Sequence, residues 1–286
     1  MSQETAIYLT NIVIAVILAG LLTHAWFVQG RSPQTRFWML GAWTMVVADV
    51  FFALRPELPD WFGRFAPTLL VTVGQATLLA GARTIAGERL PWRMIGALLV
   101  FHAAALIYFL LGGPATPWRM VINGAVWATL GFAACFSLRR APVVFWKPVF
   151  SPANVFLLHG SFHVGRALFA FFSFAHDWPR VADALQVLGD LEASFFIVAL
   201  FTSLLIATLQ MRHEELMSAR AEVETLTGLL PICAWCKKVR DDAGYWQQVE
   251  EYFERRDRIR FTHGICNDCV SEQLQKDPIP PAPTGR

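Results

Sequence analysis

Charged residues are scarce in this sequence: Asp, Glu, Lys and Arg make up only 16% of its 286 residues, whereas hydrophobic residues make up 55%. A soluble domain of this size needs more polar surface than that. The net charge of +2 is also too small to indicate a nucleic-acid-binding protein. These shortages favour an all-α integral membrane protein that lies in a lipid bilayer and has no nucleic-acid partner.

Several functional signals are also missing. The first residues lack a cleavable signal pattern, because they are acidic and the apolar run that follows has the length of a full span. No polar segment longer than about a dozen residues separates the apolar runs, so we expect no sizeable domain between spans. The polar tail contains neither a nucleophile motif nor a phosphate-binding glycine loop. Nothing therefore requires an enzyme, although the sequence does not exclude one.

Apolar runs of about 20 residues are long enough to cross a bilayer as helices. The sequence contains such runs at about 5–28, 37–55, 65–86, 93–112, 117–138, 150–174 and 184–210. We therefore predict a seven-transmembrane helix bundle over residues 1–211.

Lys and Arg in the short loops predict the orientation of this bundle. The first, third and fifth loops hold eight of these residues, and the second, fourth and sixth hold four. Because positive loops remain in the cytoplasm, the N-terminus is expected outside and the C-terminus inside. An odd number of spans requires the same arrangement.

The polar residues after the last span predict a short helical linker, 212–230, followed by a small module, 231–272, and a disordered proline-rich tail, 273–286. In the linker, apolar residues recur at alternating steps of three and four: Leu216, Ala219, Val223, Leu226 and Leu230. This pattern is typical of the seam of a parallel coiled coil and predicts a homodimer. A single amphipathic helix that lies on the membrane or on the module is the alternative. Pro231 is expected to end the helix.

Two C-x-x-C pairs predict a zinc site in the module. Cys233 and Cys236 form the first pair, and Cys266 and Cys269 form the second, with 29 residues between them. In the reducing cytoplasm disulfides are not expected, and four thiolates suit one tetrahedral Zn²⁺. A module of this size has little core, so the metal is expected to contribute much of its stability.

Other interpretations of the cysteines remain. His263 lies three residues before Cys266 and is an alternative fourth ligand, although contact with a ligand or a packing role is preferred for it. A redox dithiol and unrelated cysteines are the other two interpretations. The segment between the pairs is expected to place Tyr245, Val249 and Tyr252 on one helical face over the site. Cys135, in an apolar run, is expected to be a small buried side chain.

The stretch from Leu226 to Cys269, "LTGLLPICAWCKKVRDDAGYWQQVEEYFERRDRIRFTHGICNDC", resembles a C-terminal module of bacterial signalling proteins. That module follows PAS, GAF or receiver domains and has a similar L-L-P-I-C-x-x-C-K-K opening and H-G-I-C-x-x-C close. Asn267 stands where a proline is frequent. The resemblance implies a bacterial signalling context and does not imply an activity.

The membrane region resembles the multi-span sensor regions that precede GGDEF diguanylate cyclase domains. The stretches that carry this likeness are "GQATLLAGARTIAGERLPWR", "HVGRALF" and "LEASFFIVALF". In those proteins too, a short helix leads into an L-T-G-L stretch. Nothing like the G-G-D-E-F active site follows in this chain, so the resemblance implies a sensor and no cyclase activity.

Polar residues inside the spans form the second candidate site, since a charged residue at mid-membrane costs about 2.5–3.5 kcal/mol and needs a reason to be there. His159, His163 and Arg166 are spaced for one face of the sixth span, and Asp190 and Glu192 lie at similar depth in the seventh. We expect Arg166 to pair with Glu192. The tentative ligand-binding set is completed by Asp49 of the second span, in the outer half of the membrane.

This polar cluster has two interpretations: interhelical hydrogen bonds and ion pairs that fix the bundle, or a ligand pocket open to the outside. A metal or haem site at His159 and His163 is a third interpretation, but the sequence shows no evident third ligand.

Three functions compete. The first is a bacterial inner-membrane sensor that relays a signal through a dimeric helix to a zinc module, which docks an unknown cytoplasmic signalling protein. The second is a transporter or metal-handling protein with a regulatory zinc tail, although no internal repeat is evident. The third is an intramembrane enzyme that uses His159 and His163.

Overall fold

A computed structural model describes residues 3–28, 31–112, 116–175, 179–227, 231–241, 243–257 and 260–276. The described chain is predominantly helical. Its first seven α-helices are α1 (Gln3–Val28), α2 (Pro33–Ala53), α3 (Asp60–Ile85), α4 (Trp92–Leu111), α5 (Thr116–Leu138), α6 (Pro152–Ala175) and α7 (Pro179–Thr227).

Each of these seven helices is long and apolar enough to cross a membrane. The predicted multi-pass membrane protein is therefore confirmed at this level. Their outward surfaces carry large apolar side chains that water would not tolerate in such numbers; Val100, Phe169 and Leu191 are examples that are more than half exposed. A lipid environment accounts for these surfaces.

The chain divides into two compact units, 1–215 and 216–286. In the first unit, α2 packs against α1 and α3, and α5 packs against α6 and α3. Small residues permit the close approach that membrane helices need in order to gain packing energy. A Cβ atom at Gly74 would lie 2.9 Å from Met45 Cε, and one at Gly124 would lie 2.8 Å from the carbonyl oxygen of His163. The second contact fixes α6, and with it His163, against α5.

Helix α7 is longer than the predicted span, because it continues without a break through the predicted linker to Thr227. Residues 228–230, which include Leu230 of the predicted seam, lie outside the described residues. Pro231 is not helical, in agreement with the expectation that the helix ends before it.

The second unit also contains strands β1 (Val239–Arg240) and β2 (Trp246–Gln247), which pair antiparallel, and helices α8 (Val249–Asp257) and α9 (Asn267–Lys276). The prediction that Tyr245, Val249 and Tyr252 share a helical face was wrong for Tyr245. The carboxylate of Asp241 accepts hydrogen bonds from the backbone N–H groups of Ala243 and Tyr245, and Gly244 has φ of 90°. These features make a hairpin turn, so Tyr245 precedes β2 and is exposed.

Candidate functional site

His159, His163 and Glu192 form a buried group inside the first unit. Helix α6 places the two histidines one turn apart, and α7 brings Glu192 to both of them. His159 Nδ1 lies 2.8 Å from Glu192 Oε1, and His163 Nε2 lies 3.6 Å from Glu192 Oε2. The two histidine side chains are almost fully buried, and that of Glu192 is 12% exposed.

Neighbouring side chains hold His159 in this position. Its ring stacks on Phe196, with 3.7 Å between ring centroids and 19° between planes. The side-chain nitrogen of Gln75 lies 3.0 Å from His159 Nε2. With Nδ1–H donating to Glu192 and the Gln75 amide donating to Nε2, a single imidazole tautomer satisfies both hydrogen bonds.

Several polar atoms of this group and of its neighbours are buried without a hydrogen-bond partner in the described structure. They include His163 Nδ1, Glu192 Oε2 and Gln75 Oε1. Trp127 contacts the His163 ring edge-on at 5.0 Å between centroids, so an aromatic group borders this part of the site. A buried polar atom without a partner costs free energy, and such atoms are characteristic of sites that take up another group.

Arg166 lies one helical turn from His163, on the side of the α2–α3 loop. Its guanidinium occupies space left by Gly189, and it interacts electrostatically with Asp190 and Glu192. The pairing of Arg166 with Glu192 stays a prediction, because the charges of both Asp190 and Glu192 act on Arg166 and Glu192 also contacts both histidines.

A cavity of about 580 Å³ contains this whole arrangement. All six residues predicted as a ligand-binding set line it: Asp49, His159, His163, Arg166, Asp190 and Glu192. It extends towards the α2–α3 loop, where Arg55, Leu58 and Asp60 also line it. Its volume is in the range of small-molecule binding sites.

The sequence shows no evident third ligand beside His159 and His163, and the structure brings Glu192 to both as a candidate. Within the described residues, the ligand atoms of His159, His163 and Glu192 all lie within 4.8 Å of one another. The sequence assigned Glu192 to Arg166 alone, because depth in the membrane does not reveal how a helix is rotated about its axis. Gln75, which is 84 positions from His159, was not connected to the cluster by the sequence.

A second buried polar chain joins three helices beside the cavity. Trp127 Nε1 donates to Thr72 Oγ1, which lies 2.9 Å from His102 Nδ1, and His102 Nε2 lies 2.9 Å from Asn123 Oδ1. His102 is fully buried and both of its ring nitrogens have partners. This chain joins α3, α4 and α5 by hydrogen bonds and leaves no group of His102 open for a ligand.

Glu88 connects two loops at the opposite end of the bundle. It forms ion pairs with Arg83 and Arg140 and accepts a hydrogen bond from Ser137 at 2.9 Å. Its burial alone would raise the pKa of this carboxyl group. The hydrogen bonds from Arg140 and Ser137 and the charges of both arginines outweigh that effect and lower the pKa below its ordinary value of 4.5.

The first cysteine pair lies in a tight backbone turn of the second unit. The N–H of Cys236 points to Cys233 Sγ at 3.5 Å, the N–H of Cys233 donates to the carbonyl of Lys238, and Lys237 has φ of 62°. The adjoining Ile232 forms a bridge with Val239 of β1. Backbone hydrogen bonds from Cys236 and Trp235 lower the pKa of the Cys233 thiol.

The second pair lies at the start of α9. Cys266 immediately precedes the helix and Cys269 lies in its first turn. Hydrogen bonds from Cys269, first from its backbone N–H, lower the pKa of the Cys266 thiol. All four thiols are free, and His263 is exposed nearby in sequence. The first cysteine of each pair, Cys233 and Cys266, therefore lies in surroundings that favour its thiolate. Cys135, as expected, is buried in the first unit.

Comparison with protein-family models, with curated proteins and with solved structures gives no match for this chain.

Proposed function

We propose that this protein is a bacterial inner-membrane sensor, in which a ligand enters the cavity of the seven-helix unit and α7 transmits its binding to a cytoplasmic zinc module. The cavity is the observation that carries this proposal. Side chains that serve only to hold helices together pack closely around one another. Here, polar and charged residues surround an open volume of about 580 Å³, which interhelical bonding does not require.

The orientation of the chain supports a ligand from outside the cell. The cavity extends to the α2–α3 loop, which belongs to the loops with fewer Lys and Arg residues. Positive loops remain in the cytoplasm, so the cavity faces outwards, the N-terminus lies outside and the C-terminus lies inside.

Helix α7 supplies a mechanical connection. It contributes Gly189, Asp190 and Glu192 to the cavity and continues as one helix to Thr227. A ligand that moves Glu192 therefore acts directly on the helix that leads along the chain to the cysteine module.

The linker end of α7 supports a parallel homodimer. Leu216 and Val223 are exposed in the single chain and are seven residues apart, which is the repeat of a coiled coil. Two α7 helices in contact along this seam would convert a small rotation in the membrane into a change in the geometry of two modules.

The tail fits a zinc ion. Cys233, Cys236, Cys266 and Cys269 are free, and each pair sits in a tight turn or at a helix start. Backbone N–H groups point at the sulfur atoms of Cys233 and Cys266. Four thiolates would hold Zn²⁺ in a closed structural site with no catalytic position. The module is then a docking surface for a cytoplasmic signalling protein.

Epistasis between the cavity and the tail tests this proposal. The transcript profile of the native host is compared for wild type, Arg166→Met, the double variant Cys233→Ser/Cys236→Ser, and all three changes together. Glu192→Gln serves as a second cavity variant, and Phe195→Leu on the lipid-facing side of α7 serves as the matched control. Thermal unfolding in detergent verifies that each variant folds.

A sensor predicts that the cavity variants change the profile only when the tail cysteines are present, and that Phe195→Leu behaves as wild type. A cavity effect that is the same with and without the tail cysteines contradicts the proposal and favours a transporter. No effect of either folded cavity variant also contradicts it.

A further inference from the structure

We propose that His159, His163 and Glu192 bind a divalent first-row transition metal ion, with the open coordination positions facing the cavity. This inference rests on the proposed function, because it names the class of ligand that the sensor cavity takes.

The distances carry the proposal. A metal ion with Zn–N of about 2.0–2.1 Å and Zn–O of about 2.0–2.2 Å holds two of its ligand atoms no more than about 4.2 Å apart. His159 Nδ1 to Glu192 Oε1 is 2.8 Å and His163 Nε2 to Glu192 Oε2 is 3.6 Å. All three ligand atoms lie within 4.8 Å of one another. Side-chain shifts of about 1 Å or less bring them to one ion.

Gln75 supplies the support that a metal-bound histidine needs. A ligating histidine donates its other ring N–H to an acceptor, which fixes the ring. When Nδ1 of His159 binds a metal, the proton moves to Nε2, which then needs an acceptor. The Gln75 amide lies 3.0 Å from Nε2, and its oxygen is buried without a partner among the described residues. Rotation of this amide by half a turn presents the oxygen, and no proton is lost.

The ligand types select the metal. Two imidazoles and one carboxylate suit Zn²⁺ and Fe²⁺, as in two-histidine, one-carboxylate sites, whereas Ca²⁺ and Mg²⁺ require oxygen ligands. Three protein ligands leave at least one position for an exchangeable group. The cavity of about 580 Å³ has room for that group beside the metal.

The charges in the cavity predict whether removal of the Arg166 charge strengthens or weakens metal binding. Four arginines line the cavity, Arg55, Arg64, Arg119 and Arg166, and four carboxylates oppose them, Asp49, Asp60, Asp190 and Glu192. A divalent ion therefore adds positive charge to a balanced site. Arg166 is positive and interacts electrostatically with Glu192. Because like charges repel, removal of the Arg166 charge should strengthen the binding of a metal cation and should weaken the binding of an organic anion in the same place.

Cobalt titration of the full-length protein in detergent, after chelator treatment, tests the proposal. Co²⁺ bound to thiolates shows sulfur-to-metal charge-transfer absorption, and Co²⁺ bound to nitrogen and oxygen does not. The titration is therefore run on wild type and on a full-length variant in which Cys233, Cys236, Cys266 and Cys269 are replaced by Ser. We expect two Co²⁺ per chain in wild type and one, without charge-transfer bands, in the Ser variant.

Further variants in the Ser background identify the ligands. Glu192→Gln keeps the shape of the side chain and is expected to weaken Co²⁺ binding more than 100-fold. Gln75→Leu is expected to weaken it about 10- to 100-fold, and Arg166→Gln is expected to tighten it. The control Glu88→Gln removes a carboxylate of the same unit that lies outside the cavity, at the opposite end of the bundle, so its effect on Co²⁺ binding is expected to stay within about 10-fold.

Absence of nitrogen- and oxygen-bound Co²⁺ in the Ser variant overturns the proposal, as does an equal loss of Co²⁺ binding in Glu88→Gln and Glu192→Gln. If the Ser variant does not fold, the number of Co²⁺ ions bound per chain is compared between chelator-treated wild type and Glu192→Gln. Two ions in wild type and one in Glu192→Gln support the site, and equal numbers overturn it. If Co²⁺ does not bind but the cavity variants still act through the tail in cells, the protein is a sensor for another ligand and the metal proposal fails. If Co²⁺ binds but the cavity variants have no tail-dependent effect in cells, the metal site stands and the sensor proposal fails.

Discussion

Arg166 and Gly189 form a close contact between α6 and α7: a Cβ atom at position 189 would lie 2.7 Å from the guanidinium carbon of Arg166. Glycine therefore permits the arginine to lie directly on the backbone of α7. The positively charged guanidinium of Arg166 therefore lies against α7, the helix that continues from the first unit into the linker.

Gly189→Ala is expected to displace the Arg166 guanidinium towards the cavity. Because the displaced group is the end of a flexible side chain, the loss of stability should remain at about 1–3 kcal/mol. Thermal unfolding and Co²⁺ affinity are the measurements, and we expect weaker metal binding as the positive charge approaches the site. Gly165→Ala is the matched control, since a Cβ there meets no atom within 4 Å. Equal behaviour of the two variants would contradict the role of Gly189.

The tail is expected to bind one Zn²⁺ per chain through four thiolates. Elemental analysis of full-length Glu192→Gln protein purified without chelator measures this, because that variant weakens the proposed site in the membrane unit. Further replacement of Cys233 or Cys266 by Ser should abolish the thiolate-bound metal. The tail should then become sensitive to protease while the membrane unit remains intact. His263→Ala is the control and should keep the metal. Protein without zinc, or loss of zinc in His263→Ala alone, would contradict the four-cysteine ligand set.

Glu88 is expected to make the stability of the membrane unit depend on pH. Its pKa is lower in the folded protein than its ordinary value of 4.5, so its ion pairs stabilise the fold above that pH. As pH falls below 4.5 and through the lower folded pKa, this contribution is lost. Thermal unfolding of wild type and Glu88→Gln should therefore differ at pH 6 and converge towards pH 3. A difference that stays constant over that range would exclude this linkage.

The sequence predicts the number and position of the membrane helices, because each span needs a long apolar run and little else. It also predicts that polar residues of the sixth and seventh spans meet, since they lie at the same depth. The contact of Glu192 with His159 depends on helix rotation, and that of Gln75 with His159 depends on which of seven helices are neighbours. Neither property follows from depth or from apolar periodicity.

Tyr245 shows a different limit. Its spacing from Val249 and Tyr252 fits a helix. The Asp241 carboxylate, however, accepts hydrogen bonds from the backbone N–H groups of Ala243 and Tyr245, and these bonds hold the segment in a turn. Asp followed after three residues by Gly is a turn signal, so this feature was present in the sequence. The local hydrogen bonds of Asp241 prevail over a helical period that only three apolar residues support.

The α7 linker is expected to form a parallel dimer through Val223. Val223→Cys should crosslink to its copy in membranes under mild oxidation, in a background with Cys233, Cys236, Cys266 and Cys269 replaced by Ser. Ala221→Cys, two residues away on the opposite face of the helix, is the control and should crosslink more slowly. Equal rates at the two positions would indicate random collision rather than a seam.

A double-mutant cycle on His159 and Glu192 separates a structural ion pair from a ligand site. Glu192→Leu leaves the buried Nδ1–H of His159 without its acceptor, which is expected to cost about 1–3 kcal/mol of stability. His159→Phe with Glu192→Leu removes both partners and keeps apolar volume next to Phe196, so it should recover much of that loss. Thermal unfolding measures the recovery, and Co²⁺ binding and the transcript profile are followed in the same variants. If the pair only holds helices together, the double variant is stable and signals as wild type does. If the pair belongs to a ligand site, the double variant is stable, binds no metal in the membrane unit and gives the altered profile.

We expect the second result, in which the double variant is stable but loses the metal and the normal profile. The cavity leaves Glu192 12% exposed, and a pair that only joins two helices has no use for a second histidine.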